Sequence, residues 1–130
     1  MGDFFTTISV EKARSISPVT LAFVGDAVYS LYVREKLVLS TDYGTGELQK
    51  LTSSEVSAHG QSILLDKLLP RLTEEETAIY KRGRNAKKAT KSKNASVAEY
   101  NRSTGFEAVL GYLYLTGQYS RIDELLGDNI

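Results

Sequence analysis

The stretch VTLAFVGDAVYSLYVREKLVL, at residues 19–39, decides the fold class. Its apolar residues recur three or four positions apart, which is the spacing of one helix face: Leu21, Val24, Val28 and Leu31. Ser17 and Pro18 stand just before it, as the cap and the first residue that are typical of a helix start. We therefore predict a long helix that begins at Pro18.

The rest of the chain continues the helical pattern. Residues 47–69 carry apolar residues at helical spacing and predict one long helix that ends at Pro70. Two capping boxes, at residues 73–76 and 96–99, open two further helices, of which the second runs to about Thr116 and stops at Gly117. A last helix covers residues 121–126. Because no segment alternates like a strand, we predict an all-α, single-domain helical bundle of five or six helices over residues 1–130.

Composition excludes several kinds of site. The 130 residues include no cysteine and one histidine, His59, so disulfides, thiolate metal sites and zinc sites built on several imidazoles are ruled out. The first residues lack the pattern of a secretory signal, and the longest uncharged apolar run is too short to cross a membrane. We expect a cytoplasmic protein without a membrane partner.

Two isolated acids stand in apolar helices. Asp26 is the only charged residue between Val19 and Val33, and Glu107 is the only one between residues 102 and 121. An ionised carboxylate away from water costs several kcal/mol unless it is paired, hydrogen-bonded or metal-bound. The two acids could therefore converge on Mg²⁺ or Mn²⁺, which prefer oxygen ligands.

Plainer interpretations of the two acids stay open. Asp26 follows Gly25 and could cap a helix turn, and Glu107 could pair with Arg84 or Arg102. The neighbouring glycines could serve close helix packing alone.

The formal net charge of zero hides two opposite fields. Residues 80–102 hold eight Lys and Arg residues against one acid, Glu99, whereas the remainder holds eight basic and fifteen acidic residues. Such a basic loop, at about residues 81–95, is typical of binding to a phosphate backbone, although charge runs are often plain solvated loops. No aromatic residue lies within residues 81–93, so a duplex fits better than stacked single strands. The candidate RNA-binding residues are Lys81, Arg82, Arg84, Asn85, Lys87 and Lys88.

Three segments in order resemble a known family. LAFVGDAV, at residues 21–28, resembles the signature helix of the ribonuclease III catalytic domain, and STGFEAVLGYLYL, at residues 103–115, resembles its second acidic helix. KRGRNAK, at residues 81–87, is similar to the compact subgroup called mini-ribonuclease III, which lacks a separate double-stranded-RNA-binding domain. A chain of this length has room for the catalytic domain alone, so the basic loop would grip the RNA.

The resemblance implies a bacterial endonuclease that acts as a homodimer on double-stranded RNA, with Mg²⁺ as cofactor and Mn²⁺ as a substitute, and leaves 5′-phosphate and 3′-hydroxyl ends. Asp26 and Glu107 fall on its catalytic metal ligands. Phe23 falls on a dimer contact, and its alternative role is core packing. The subgroup matures the ends of large-subunit ribosomal RNA precursors, stimulated by a ribosomal protein of that subunit.

Departures from the full-size enzymes keep other functions open. Ala22 and Thr104 stand where those enzymes carry two further acids, so the number of metals per site is in question. One alternative is a catalytically weakened double-stranded-RNA-binding protein, and another is a helical interaction domain whose basic loop meets an acidic partner. His59, which we place in mid-helix, is either a satisfied, partly buried histidine or a surface or RNA-facing contact, and we do not assign it as a general base.

Overall fold

The computed structural model describes residues 6–88 and 96–127, and these residues form helices without any strand. The elements are α1 (Val10–Arg14), α2 (Pro18–Ser40), α3 (Thr45–Val56), α4 (Ala58–Leu68), a 3-10 turn (Leu69–Arg71), α5 (Glu74–Asn85), α6 (Val97–Leu115) and α7 (Tyr119–Leu126). The predicted all-α class is confirmed. The predicted number of helices was too low, because α1 is too short to show a periodic pattern and because one predicted helix is two.

Helix α6 is the centre of the fold. Every residue from Ser103 to Leu113 is buried except Glu107, since α2, α4, α5 and α7 all pack around it. The aromatic rings of Tyr29 on α2 and Phe106 on α6 meet edge to face, with centroids 5.1 Å apart. No helix among the described residues is long and apolar enough to cross a membrane.

Helices α2 and α6 cross with their backbones in near contact. A Cβ atom built on Gly25 would lie 1.7 Å from the Glu107 carbonyl oxygen, and one built on Gly111 would lie 1.9 Å from the Leu21 carbonyl oxygen. Only glycine leaves room for so close an approach. The crossing therefore fixes which residues of the two helices become neighbours, and it places Asp26 beside Glu107.

The predicted single helix over residues 47–69 is wrong. The chain breaks at Ser57, whose extended backbone ends α3 and begins α4. The Ser57 hydroxyl donates to the Ser54 carbonyl oxygen at 2.8 Å and accepts from the Gly60 backbone N–H at 3.0 Å. Serine satisfies backbone groups in this way at helix ends, and its competition with the helical ladder explains a break that periodicity alone did not reveal.

Ser17 stands at the predicted N-cap position of α2, but its side chain makes no capping hydrogen bond. The caps predicted for α5 and α6 have side-chain hydrogen bonds. Thr73 and Glu76 form the reciprocal capping box of α5. The Ser96 hydroxyl accepts from the Glu99 backbone N–H at 3.0 Å and caps the start of α6. Gly117 follows α6 with a φ of 76°, the left-handed conformation that ends many helices.

A buried ion pair joins α5 to α7. Two nitrogens of Arg121 donate to the two carboxylate oxygens of Glu76, each at 2.9 Å. Burial alone would raise the pKa of Glu76, but the hydrogen bonds from Arg121 and Thr73 outweigh it and hold that pKa below its ordinary value. The pair thereby ties α7 to the first turn of α5.

The glycine crossing is testable by adding one methyl group. Gly25→Ala forces the backbones of α2 and α6 apart, and we expect it to cost about 3 kcal/mol or more in the free energy of unfolding, because overpacking against backbone cannot be relieved by a rotamer change. Gly46→Ala is the matched control: its Cβ meets nothing within 4 Å, so the higher helix propensity of alanine should make it neutral or stabilising. Urea unfolding compares them, and equal stability of the Gly25→Ala variant and the wild type would contradict the close crossing.

Candidate active site

Asp26 and Glu107 come together at the α2–α6 crossing. Asp26 lies in the third turn of α2 and is exposed, whereas Glu107 is the partly buried residue in the middle of α6. Their carboxyl groups are within hydrogen-bonding reach of each other. Asp26 is thus not a helix cap, because it stands inside a continuous helix that runs from Pro18 to Ser40.

The environment of Glu107 disfavours its charge. Burial raises its pKa to about 8, the neighbouring Asp26 also raises it, and a hydrogen bond from Gln61 acts in the opposite direction. A carboxyl group shifted this far toward neutrality in a cleft is typical of a functional site.

The two arginines that could have neutralised Glu107 are engaged elsewhere. Arg102 donates to Asp66 at 2.6 Å, and the guanidinium of Arg84 lies 5.6 Å from the centre of the Tyr80 ring. The structural interpretation of Glu107 as one half of an ion pair with either of them is therefore wrong.

Gln61 is a residue of the site that sequence reasoning missed. It lies on α4 and is 2% exposed, and its Nε2 donates to Glu107 Oε2 at 3.0 Å and to the Val56 carbonyl oxygen at 2.9 Å. Nothing in the sequence marks one glutamine of an amphipathic helix as an active-site residue. Only the packing of α4 against α6 reveals it.

Ala22 and Thr104, which stand where the full-size enzymes carry further acids, are both buried. Ala22 is 5% exposed and Thr104 is 6% exposed, and the Thr104 hydroxyl donates to the Tyr100 carbonyl oxygen within its own helix at 3.0 Å. The part of the chain that the structure describes contains no group of three or more His, Asp or Glu side chains placed to hold a metal ion. The oxygen donors of this site are thus two carboxylates.

The basic residues begin on a helix rather than in a loop. Lys81, Arg82, Arg84 and Asn85 belong to the last turns of α5, and Lys87 and Lys88 follow its end. Residues 89–95 of the predicted basic loop lie outside the described residues. Lys88 turns back on the helix, where its ammonium group donates to the carbonyl oxygens of Gly83 at 2.8 Å and Arg84 at 2.9 Å. Among the described residues of this segment, the exposed cations are Lys81, Arg82 and Lys87.

His59 does not occupy the place that we predicted. It is the second residue of α4 rather than a mid-helix residue, and it is exposed rather than partly buried. Its Nδ1 lies 2.6 Å from Glu99 Oε2, and this contact lowers the pKa of Glu99. The pair joins the first turns of α4 and α6.

Phe23 points into solvent. Its side chain is 81% exposed, so the alternative of core packing is wrong. It borders an apolar groove of about 490 Å³ that is lined by Val24, Ala27, Val28, Leu31 and Tyr114. Such a patch on a surface helix is typical of a contact with another protein chain.

Comparisons with known proteins agree with this geometry. Residues 19–118 match the family described as "Ribonuclease III domain". The chain belongs to the ribonuclease III family. It is 44% identical over 119 residues to mini-ribonuclease 3 of Thermoanaerobacter sp. (strain X514), a match that covers 92% of this chain and 84% of that one. It is 46% identical over 113 residues to mini-ribonuclease 3 of Streptococcus pneumoniae, covering 85% and 88%.

A solved structure shares the fold as well. Protein FN1578 from Fusobacterium nucleatum superposes with a TM-score of 0.82 at 33% identity, covering 90% of this chain and 95% of that one. Together with the mini-ribonuclease 3 relatives, the ribonuclease III domain identifies the chain as an endoribonuclease. An interaction domain without enzymatic activity is thereby excluded, and the two acids on the facing helices become its candidate catalytic groups.

The raised pKa of Glu107 in this ribonuclease III domain predicts a dependence of stability on pH. Between about pH 4.5 and pH 8, native Glu107 keeps a proton that the unfolded chain has lost, so the free energy of unfolding falls as pH rises through this window. Glu107→Gln stays neutral and lacks this contribution. As pH rises through this window, we expect the free energy of unfolding of the wild type to fall by up to about 1.4 kcal/mol per pH unit more than that of the variant.

Urea unfolding at several pH values between 5 and 9, in the presence of a chelator, measures this difference. Glu11→Gln, at an exposed glutamate on α1, is the control and should follow the wild type. Parallel curves for the wild type and Glu107→Gln would show that Glu107 titrates like a solvated carboxyl group.

Proposed function

We propose that the chain is a Mg²⁺-dependent endoribonuclease that hydrolyses phosphodiester bonds of double-stranded RNA, with Asp26 and Glu107 as catalytic metal ligands. The observation that carries the proposal is the convergence of these two acids at the Gly25–Gly111 crossing, inside an endoribonuclease domain. Mn²⁺ would substitute, because it accepts the same oxygen ligands.

The donor set fits such an ion. Mg²⁺ binds through one or two carboxylates and keeps several waters, so a site with Ala22 and Thr104 in place of further acids still has enough protein ligands. Burial and the neighbouring Asp26 disfavour the charge of Glu107, and a divalent ion bound between the two carboxylates would compensate for both. When bound, the metal supplies Lewis-acid polarisation of the phosphate and a water of lowered pKa.

The two carboxylates of this site would supply negative charge to the ion and fix its position. Asp26 and Glu107 act as ionised ligands, which requires Glu107 to release its proton when the ion binds. The sequence and the site offer no side-chain nucleophile, so water supplies the oxygen that joins phosphorus while the bond from phosphorus to the 3′ oxygen breaks. The products are a 5′-phosphate and a 3′-hydroxyl.

Removing one ligand tests the assignment. Glu107→Gln keeps the size of the side chain but loses its charge, so we expect cleavage of a labelled RNA duplex in Mg²⁺ to fall by more than about a hundredfold. Binding of the duplex, measured in Ca²⁺ and at increasing salt, should stay within about twofold of the wild type, because phosphate contacts dominate affinity.

Glu11→Gln again serves as the matched control and should cleave like the wild type. Full activity of Glu107→Gln in Mg²⁺ would overturn the assignment. A wild-type protein that binds the duplex and never cleaves it would support the alternative of a catalytically weakened RNA-binding protein, for which Ala22 and Thr104 are the arguments.

RNA binding is assigned to the basic end of α5. Lys81, Arg82 and Lys87 are exposed, and Arg84 and Asn85 lie beside them on the last turn. Arg82 also donates to the Arg14 carbonyl oxygen at 3.4 Å. Lys88 contributes positive charge at the end of α5, where its ammonium group donates to two backbone carbonyl oxygens. Gly83 packs against Gly105 and Ala108, which brings this basic end against the same helix that carries Glu107.

A homodimer is the proposed assembly, with Phe23 at its contact. The exposed ring stands next to an apolar groove on the same face, so a two-fold axis would let the Phe23 of each copy enter the groove of the other. Asp26 borders this groove as well. Two sites related by such an axis are suited to cutting both strands of a duplex.

Substituting Phe23 tests the contact. Phe23→Ala removes the exposed ring, and we expect the dimer Kd, measured by sedimentation equilibrium, to rise by about thirtyfold or more, as for a buried aromatic anchor. Leu39→Ala is the matched control, since Leu39 is 77% exposed on the same helix but lies sixteen residues, or about 24 Å, away. An unchanged dimer in Phe23→Ala would move the contact to another face.

The RNA that the enzyme processes is proposed from the family resemblance. A bacterial mini-ribonuclease III of the cytoplasm would mature the ends of large-subunit ribosomal RNA precursors and respond to a ribosomal protein of that subunit. The bacterial mini-ribonuclease 3 relatives support the placement of the chain in this subgroup, and the pathway follows from the resemblance alone.

A further inference from the structure

We propose that Gln61 is a positioning residue of this active site, which holds the Glu107 carboxylate in the orientation that the divalent ion needs. The inference rests on the proposed metal-dependent function. It assigns a role to a residue that is neither a metal ligand nor an RNA contact.

The break between α3 and α4 creates the anchor for Gln61. Helix α3 ends at Val56, and the carbonyl groups at a helix end lack partners within the helix. Gln61 Nε2 donates to the Val56 carbonyl oxygen at 2.9 Å, five residues back along the chain. A continuous helix over residues 47–69 would have used this carbonyl itself, so the Ser57 break leaves it available to the side chain.

The Val56 contact also fixes which way the amide faces. A carbonyl oxygen only accepts hydrogen bonds, so the nitrogen of the Gln61 amide has to lie on this side. The second N–H of the same nitrogen then points to Glu107 Oε2, at 3.0 Å. The Val56 carbonyl oxygen of α3 thereby determines that the Gln61 amide on α4 presents an N–H donor to Glu107 on α6.

The Gln61 amide lowers the stability of the fold through one of its atoms. Gln61 Oε1 is buried and has no hydrogen-bond partner among the described residues. A buried acceptor of this kind costs about 1–3 kcal/mol, and an apolar side chain of the same length would avoid it. Packing therefore does not explain a glutamine here, whereas the need for a donor beside Glu107 does.

The consequence for Glu107 is a loss of freedom. A glutamate side chain has three rotatable bonds, and a hydrogen bond to one of its oxygens from a rigid donor removes much of that freedom before any ligand arrives. Groups that orient metal-binding side chains in this way typically change metal affinity or activity by 10–100-fold when they are removed. We expect an effect of that size from Gln61.

Gln61→Met keeps the length of the side chain and removes both the N–H donors and the unpartnered oxygen. Calorimetric titration of the RNA-free protein with Mg²⁺, and separately with Mn²⁺, should show affinity weakened by about 10–100-fold. In cleavage assays at saturating metal, kcat should fall while KM for the duplex stays within about twofold. The melting temperature in chelator should change little, because the removal of the unpartnered oxygen offsets the loss of the hydrogen bonds to Val56 and Glu107.

Thr52→Val is the matched control, since Thr52 is also 2% exposed and lies on the neighbouring α3. It should leave metal affinity and kcat unchanged. Gln61→Asn is the second variant: it keeps the amide but is one methylene shorter and cannot span Val56 and Glu107, so its metal affinity should fall by about tenfold. This variant decides the question if Gln61→Met does not fold.

The outcomes separate this inference from the proposed function. Metal affinity and kcat equal to those of the wild type in a folded Gln61 variant would overturn the positioning role while the metal site stands. A wild-type protein that neither binds Mg²⁺ nor needs it for cleavage would overturn the metal-dependent function, and the positioning role with it. A fall in stability with unchanged metal affinity would make Gln61 a packing residue only.

Discussion

The near contact between the backbones of α2 and α6 is the constraint on which the rest of the molecule depends. Gly25 and Gly111 remove the side chains that would hold these helices apart, and each faces a carbonyl oxygen of the opposite helix. The position of the crossing determines which residues of the two helices lie next to each other. Asp26 and Glu107 therefore come together as a result of helix packing. The close contact therefore serves both packing and chemistry.

The same crossing places the Glu107 carboxyl group in a buried environment that disfavours its ionised form. Glu107 interrupts a run of buried residues on α6, and its pKa of about 8 reflects burial first and the like charge of Asp26 second. Buried polar groups without full compensation recur at functional sites, where stability is given up for reactivity. The unpartnered oxygen of Gln61 belongs to the same pattern, since both unfavourable features lie within one hydrogen bond of each other.

Much of this arrangement could be predicted from sequence, because it depends on local patterns. Isolated acids in apolar runs identified Asp26 and Glu107, and capping residues located the starts of α5 and α6. The break at Ser57 was missed because a serine hydroxyl competes with the helical ladder without disturbing apolar spacing. Gln61 and the inward turn of Lys88 were missed because a polar side chain acquires its partner only when distant elements pack.

The hydrogen bonds of Lys88 have a consequence for molecular recognition. By closing the carbonyl end of α5, this lysine keeps the last turn intact, so the cations that precede it project from a rigid element at set separations. A rigid array loses little conformational entropy when it meets a polyanion, in contrast to a flexible basic tail. In the proposed RNA-binding role, such a fixed spacing would favour a regular duplex over a strand of variable shape.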